Sequence, residues 1–359
     1  MSFFNTTAKP FLIAGPCSAE TEEQVMGIGE QLSKMPISLF RAGVWKPRTK
    51  PGSFEGVGED ALKWLQQLKK EYRLPITVEV AEATHVELAL KYGVDVLWLG
   101  ARTTVNPFQV QNIAEALRGV DIPVMVKNPV NPDVDLWEGA IERLERVGIK
   151  DIAAIHRGFS TYNAASIYRN QPNWPIPIEL MRRRPEMTMI CDPSHITGKR
   201  EMVANISQKA MDMGYAGLMI ETHQQPDEAW SDARQQVSPS SLQEILDNLI
   251  VRAAHDPAMN ERMGLEHYRT IMDGIDAEII DLISRRMELS DKIGSIKNEH
   301  NMTVYQPERW REIVETRGER AKNLHLSTDF IVAVYELIHN ESIKKQLRIL
   351  DNLQKDINA

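Results

Sequence analysis

At 359 residues the chain is long for one domain and comfortable for two, and its 42% hydrophobic and 26% charged residues are an ordinary globular mixture. A net charge of −8 argues against a nucleic-acid partner or a membrane surface, so cations that meet an anionic substrate must be gathered locally. Cys17 and Cys191 are the only cysteines and make no disulfide framework; no signal peptide and no apolar run of about 20 residues is present, and together these predict a cytoplasmic location.

Short apolar runs at 11–15, 37–43, 75–80, 94–100, 122–127, 150–157, 187–192 and 216–222 read as strands. Most are continuous rather than alternating, as in strands covered on both faces. Helical patterns such as 59–70 and 108–118 separate them, giving the βα repeat of a parallel sheet. Eight such units predict an α/β fold, a closed (β/α)8 barrel over residues 1–250. No glycine-rich nucleotide-binding loop follows the first strand. A polar, irregular stretch with Pro257 and Gly264 marks a linker at 251–264, and the remainder, 265–359, carries only helical signals. Apolar residues at 271, 275, 279, 282, 289, 293 and 296 predict one long helix, Pro307 opens a second, and a third runs from about Thr328 to Leu353. Three helices bury little core alone, which predicts a homodimer through this domain.

Catalytic groups of such barrels sit at the carboxyl ends of the strands, and polar residues collect there. The first strand ends in Gly15-Pro16-Cys17-Ser18; Arg41 lies in the second, which Lys46-Pro47-Arg48-Thr49 follows; Glu79 lies in the third. The next ends carry Arg102, Lys127-Asn128, His156-Arg157, Asp192-Pro193-Ser194-His195 and Glu221-Thr222-His223. Arg41, Lys46, Arg48, Arg102, Lys127 and Arg157 would form a cationic basin suited to phosphate and carboxylate. Cys17, His195, Glu221 and Asp232 would supply sulfur, nitrogen and oxygen donors to a divalent metal acting as a Lewis acid. Taken singly, Cys17 also reads as a small buried hydrophobe and Lys46–Thr49 as a solvated loop; convergence on one face favours the site. Cys191 reads as core, and His156 and His223 receive no role.

At these residues the chain resembles the shorter type I form of 3-deoxy-D-arabino-heptulosonate-7-phosphate (DAHP) synthase. The motifs GPCS, FRAGVWKPRTKPGSFEG, GAR, VKNP, HRGFST, DPSH, IETH and SDARQQV follow in the family's order across residues 10–248. The resemblance implies condensation of phosphoenolpyruvate with erythrose 4-phosphate, releasing phosphate. It places one divalent metal (manganese, iron, cobalt or zinc) on Cys17, His195, Glu221 and Asp232. Arg102, Lys127 and Arg157 would hold the phosphoenolpyruvate phosphate, Arg41 and Lys46 would lie near its carboxylate and reacting carbons, and Arg48 and Thr49 would bind the erythrose phosphate. Lys46 is the candidate proton donor to the new alkoxide and Glu79 the residue that orients water. The related 3-deoxy-octulosonate-8-phosphate synthases carry Lys-x-Asn-Arg where this chain has Lys46-Pro47-Arg48-Thr49.

The apolar stripe of the first long helix, through Leu282, Leu289 and Ile293, also carries Arg286 and Lys297; on the third helix Ser342 and Gln346 extend the stripe of Ile331, Tyr335 and Ile338. Charge on a buried stripe needs a partner, and a small anion cavity lined from two helices would supply one; interface salt bridges are the alternative. Residues 265–353 resemble the all-helical chorismate mutase family, with Arg269, Arg286, Lys297, Arg309, Ser342 and Gln346 on its binding positions. The resemblance implies that Arg286 and Arg309 take carboxylates, that Lys297 and Gln346 reach the ether oxygen that gains charge, and that Arg269 serves a partner chain. Trp310 and Gln306 replace acids that normally meet the substrate hydroxyl. Two readings follow for this domain: a mutase that turns chorismate into prephenate, or a non-catalytic sensor and dimerisation module. Either would let chorismate or prephenate exert feedback on the barrel.

Overall fold

The eight apolar runs form β1 (Phe11–Gly15), β2 (Leu39–Ala42), β3 (Ile76–Val80), β4 (Val96–Leu99), β5 (Val124–Lys127), β6 (Ile152–His156), β7 (Thr188–Cys191) and β8 (Gly217–Glu221). All pair in parallel and in chain order, and β8 closes on β1 with Gly15 opposite Glu221. The structure, a computed structural model, describes residues 3–4, 10–46, 54–161, 166–252 and 264–357. Its contacts divide the chain into two units, Met1–Ala254 and His255–Ala359. The predicted linker lies mostly outside the described residues.

All but the first strand are shorter than the apolar runs that predict them, for local reasons. Pro75 and Pro123 stand before β3 and β5; they accept from Phe40 and Leu97 through their carbonyls but have no N–H to donate. Asp95, before β4, accepts the Ile76 N–H at 2.9 Å through its side chain and ties down Lys69 at 2.6 Å. Helices follow the strands around the outside: α1 (Glu22–Leu32), α2 (Glu59–Tyr72), α3 (Ala83–Lys91), α4 (Ala101–Thr104), α5 (Pro107–Ala116), α6 (Val134–Arg146), α7 (Pro175–Arg183), α8 (Pro193–Thr197), α9 (Val203–Asp212) and α10 (Pro239–Asp247). Side-chain oxygens cap several starts, as at Thr21, Asn106, Asp133 and Ser238.

Successive strand side chains point to opposite faces, and two cores result. Leu12, Ala14, Leu97, Leu99 and Cys191 pack outward under the helices. Phe11, Ile13, Leu39, Trp98, Met125, Ile155, Ile190 and Met219 fill the barrel. At the amino end Phe3, Phe4 and Phe11 meet edge to face, with centroids 5.6–6.0 Å apart, and the Phe3 amide donates to Asp151. At the other end the inward positions become polar. Arg41 stands two residues after Leu39, Lys127 after Met125, Arg157 after Ile155, Asp192 after Ile190 and Glu221 after Met219, while Glu79 pairs in register with Trp98. Alternation within the strands therefore delivers these groups to the barrel mouth.

In the second unit α11 (Leu265–Glu299) packs on α13 (Thr328–Ile357) through the last third of its length, with α12 (Pro307–Asn323) beside α13. Pro307 sits at the first position of α12, as predicted. The buried residues of α11 are Met287, Ser290 and Gly294. Leu282, Leu289 and Ile293, which the sequence places on an apolar stripe, are 59%, 57% and 46% exposed within the single chain. The small residues allow close approach of α13, and the larger apolar ones are left facing out. Residues 265–285 are exposed throughout.

Gly15 has φ +143°, and a Cβ there would fall 2.1 Å from the Arg41 carbonyl oxygen. Gly15→Ala is therefore expected to destabilise the barrel by about 1–3 kcal/mol through overpacking. An unchanged urea midpoint would contradict that close approach.

Candidate active site

The Arg41 guanidinium is 2% exposed and lies over the Trp98 ring, 5.1 Å from its centroid. Its Nη2 is 3.0 Å from Glu221 Oε1, while Nε and Nη1 are buried with no hydrogen-bond partner. Lys127, 4% exposed, places Nζ 2.8 Å from Asp192 Oδ2 and 5.8 Å from the same Trp98 ring. Trp98 Nε1 donates to Glu79 Oε2 at 3.1 Å. Glu79 packs so tightly on Gly100 that a Cβ there would fall 2.0 Å from Oε1. Arg157 is buried, with one weak bond to Gly158 O at 3.2 Å, and its backbone N–H donates to Asn128 Oδ1 at 2.7 Å. Burial first, then the charges of Arg169 and Arg102 acting against Asp192, bring the Arg157 guanidinium down to about 10. A buried cation with unmet donors, as Arg41 is, is costly unless a counter-ion arrives, so this part of the mouth suits an anion.

Beside it lies a mixed donor cluster. Cys17 Sγ is 3.3 Å from Asp232 Oδ2 and 2.6 Å from Lys46 Nζ. One ligand atom each from Cys17, Glu221 and Asp232 lie within 4.8 Å of one another. His195 flanks them, its Nε2 3.8 Å from Glu221 Oε1 and its Nδ1 2.8 Å from Asp192 Oδ2. Asp192 also accepts the His195 backbone N–H at 3.0 Å, so it fixes the imidazole from behind as second partners of metal-bound histidines do. Gln235 Nε2 donates to Glu221 Oε2 at 2.8 Å; Arg169 Nη1 reaches Asp232 Oδ1 at 3.0 Å and Gln235 Oε1 at 2.6 Å. Asp232 is held at φ +49°, a conformation costly for a residue with a Cβ and maintained only where the surroundings impose it.

Burial, then Glu221, pushes the Cys17 thiol up to about 12 against the pull of Lys46. Burial also raises the Glu221 carboxyl, but His195, Arg41 and Lys46 together outweigh it and hold it below its ordinary range. Two ionised carboxylates around a protonated thiol, with an imidazole at the edge, fit a divalent cation whose charge would favour the thiolate.

In the helical unit Arg286 Nη1 donates to Ser342 Oγ at 2.7 Å. Gln346 is buried, with Oε1 unpartnered. Burial first, then the charges of Arg317 and Arg309 against Tyr335, lowers the Arg286 guanidinium. Lys297 Nζ donates to Val304 O at 2.6 Å and closes the turn into α12; Arg309 pairs with Glu312 at 2.6 Å. Arg269 pairs with Glu266 at 2.6 Å, seventeen residues before Arg286 on one helix, hence about 25 Å from it.

The structure thus gathers Arg41, Lys46, Glu79, Lys127, Arg157, Cys17, His195, Glu221 and Asp232 at one barrel mouth. Arg102 is exposed, though its charge is felt by Arg157; Arg48 and Thr49 lie outside the described residues. Arg286, Ser342 and Gln346 come together in the helical unit, and Arg269 does not join them. His156 and Cys191, one residue out of phase, turn outward; His156 bonds Pro172 O at 2.6 Å and Tyr215 Oη at 3.0 Å. Sequence reasoning gave no role to Asp192, Arg169 or Gln235. Asp192 was readable, two residues after inward Ile190; Arg169 reaches the cluster from a loop and left no spacing signal.

Comparison with known proteins gives two family matches: the DAHP synthetase I family over residues 5–253 and chorismate mutase type II over residues 268–347. The phospho-2-dehydro-3-deoxyheptonate aldolase of Thermotoga maritima is 28% identical over 238 residues, spanning 66% of this chain and 68% of that protein. A 2-dehydro-3-deoxyphosphooctonate aldolase of Brucella ovis is also 28% identical, over 276 residues, spanning 69% and 92%. A crystal structure of the Thermotoga maritima DAHP synthase superposes with a TM-score of 0.60 at 27% identity, covering 66% of this chain and 67% of that one. Among the described residues no helix is long and apolar enough to cross a membrane. The chain belongs to the DAHP synthetase I family and carries, after the barrel in the sequence, a domain that matches chorismate mutase type II, so it joins two enzyme domains of aromatic biosynthesis.

Proposed function

We propose that the barrel, residues 1–250, condenses phosphoenolpyruvate with erythrose 4-phosphate, and that the helical domain, residues 265–359 beyond a linker at 251–264, converts chorismate to prephenate. The observation that carries the first reading is the buried Arg41 guanidinium with two unmet donors, beside Lys127 and Arg157. Arg102, Lys127 and Arg157 take the phosphoenolpyruvate phosphate, Arg41 and Lys46 its carboxylate end, and Arg48 and Thr49 the erythrose phosphate. The enol carbon attacks the aldehyde, water enters at C2 and phosphate leaves. Lys46 gives a proton to the new alkoxide and Glu79 orients the water. Cys17, His195, Glu221 and Asp232 hold one divalent metal, which when bound supplies Lewis acidity at a carbonyl. The enzyme works in the cytoplasm, where its two free cysteines stay reduced.

In the helical domain, Arg286 and Arg309 take carboxylates while Lys297 and Gln346 face the ether oxygen, with Ser342 holding Arg286. A second copy of the chain covers the exposed 265–285 face and contributes its Arg269 to the site, since the Arg269 of the same chain is about 25 Å away. Ligand at this site feeds back on the barrel. A sensor without turnover is the second reading, favoured by Trp310, whose ring stacks on His339 at 4.6 Å where an acid would meet the ligand.

Three outcomes are expected. Phosphate release from phosphoenolpyruvate should run at least about tenfold faster with erythrose 4-phosphate than with arabinose 5-phosphate, and equal rates would overturn the substrate assignment. Chelation should abolish condensation and a divalent metal restore it, whereas Cys17→Ala should lose about 100-fold or more, since even outer partners of ligands cost about 10- to 100-fold; full activity in that variant would remove Cys17 from the metal site. Arg286→Ala should slow chorismate consumption by about 100-fold, while a wild type that binds prephenate without consuming chorismate would establish the sensor.

A further inference from the structure

One face of α13 carries a histidine beside Ser342 and Gln346. His339 on α13 stacks on Trp310 with ring centroids 4.6 Å apart and planes 21° from parallel, and its Nε2 is buried with no hydrogen-bond partner. It stands three residues before Ser342 and seven before Gln346, so the three share one helix face. Ser342 Oγ accepts from Arg286 at 2.7 Å, and Gln346, 7% exposed, has its own unpartnered Oε1. Tyr305 closes the other side, its ring centroid 6.3 Å from the imidazole. Burial first, then the charges of Arg286 and Lys297, disfavour protonation of this ring. A buried imidazole nitrogen without a partner loses hydrogen-bond energy that a ligand would restore.

The chemistry of the proposed ligands says which group fits. Chorismate and prephenate each carry two carboxylates and one ring hydroxyl. Arg286, held by Ser342, offers a carboxylate its cation, and Arg309 and Arg317 add positive charge that Arg286 feels, so the carboxylates have better partners than a neutral imidazole. Trp310 backs the imidazole with a flat apolar surface that holds its plane without competing for a hydrogen bond.

We propose that His339 is a specificity-determining residue of the helical site, its Nε2 binding the ring hydroxyl of the ligand while the cations bind the carboxylates. The proposal rests on reading this domain as a chorismate and prephenate site. Trp310, which cannot accept a hydrogen bond, shapes the recognition by fixing the histidine.

The test is equilibrium binding of prephenate, and of the prephenate analogue lacking the ring hydroxyl, to the full-length protein and to His339→Leu, His339→Gln and Arg286→Ala. Wild type should prefer prephenate by about tenfold or more, as a site with a buried hydrogen-bonding group rejects a ligand that leaves it unpaired. His339→Leu should lose most of that preference by weakening prephenate alone, and His339→Gln should keep part of it. Should His339→Leu not fold, the partial preference of His339→Gln and its loss in His339→Ala carry the same comparison. Equal weakening of both ligands, or an unchanged preference while Arg286→Ala abolishes binding, would overturn the role of His339. Tight prephenate binding by Arg286→Ala would instead overturn the reading of the site, and the proposal with it.

Discussion

A guanidinium withdrawn from water must have its donors met, and the barrel of this protein meets only part of Arg41. Glu221 faces one side of it, Trp98 lies beneath, and Nε and Nη1 are left buried and open. Much of the surrounding arrangement follows from tolerating that charge. Glu221 must stay ionised, which His195, Arg41 and Lys46 ensure against burial. Lys127, the second cation over Trp98, takes Asp192, and Asp192 thereby becomes the group that also aims His195. The buried cations and the candidate metal donors are consequently one network, in which Glu221 faces Arg41 on one side and the Cys17 and Asp232 donors on the other.

The barrel makes such a network possible because its strands alternate strictly. The same period that sends Ile13, Trp98 and Met219 inward at mid-height sends Arg41, Lys127 and Glu221 inward at the top. Charges carried on strand ends have their backbone fixed by the sheet. The close approach at Gly15 and the strained backbone of Asp232 belong to the same design, since both hold donor-bearing segments where a relaxed chain would not leave them.

Much of this was legible in the sequence. Eight apolar runs and their βα spacing specified the closed barrel, because both faces of each strand are covered and the runs stay continuous. The strand ends were less sharp: prolines and Asp95 end the ladders through groups that hydropathy does not register. The site was legible where it lies on strands, as with Arg41, Lys127 and Glu221, and where a motif resembles a family, as with Cys17. Arg169 and Gln235 were not, since loops bring them to Asp232 and Glu221 only in three dimensions. In the helical unit periodicity found the helices but not the seam between them within one chain. Leu282, Leu289 and Ile293 satisfy the spacing of a core stripe, yet Ser290 and Gly294 make the contact, because small residues decide how closely two helices approach.

The helical unit also leaves buried polar atoms unpartnered, His339 Nε2 and Gln346 Oε1, near the half-buried Arg286. For the protein as a whole the central claim remains the unmet charge of Arg41. It is tested most directly by isothermal titration of phosphoenolpyruvate into wild type and Arg41→Met, without the second substrate. One phosphoenolpyruvate per barrel is expected for wild type, with affinity reduced by about tenfold or more in the variant, as loss of a hydrogen bond to a charged group implies. Equal affinity in the two proteins would contradict the account.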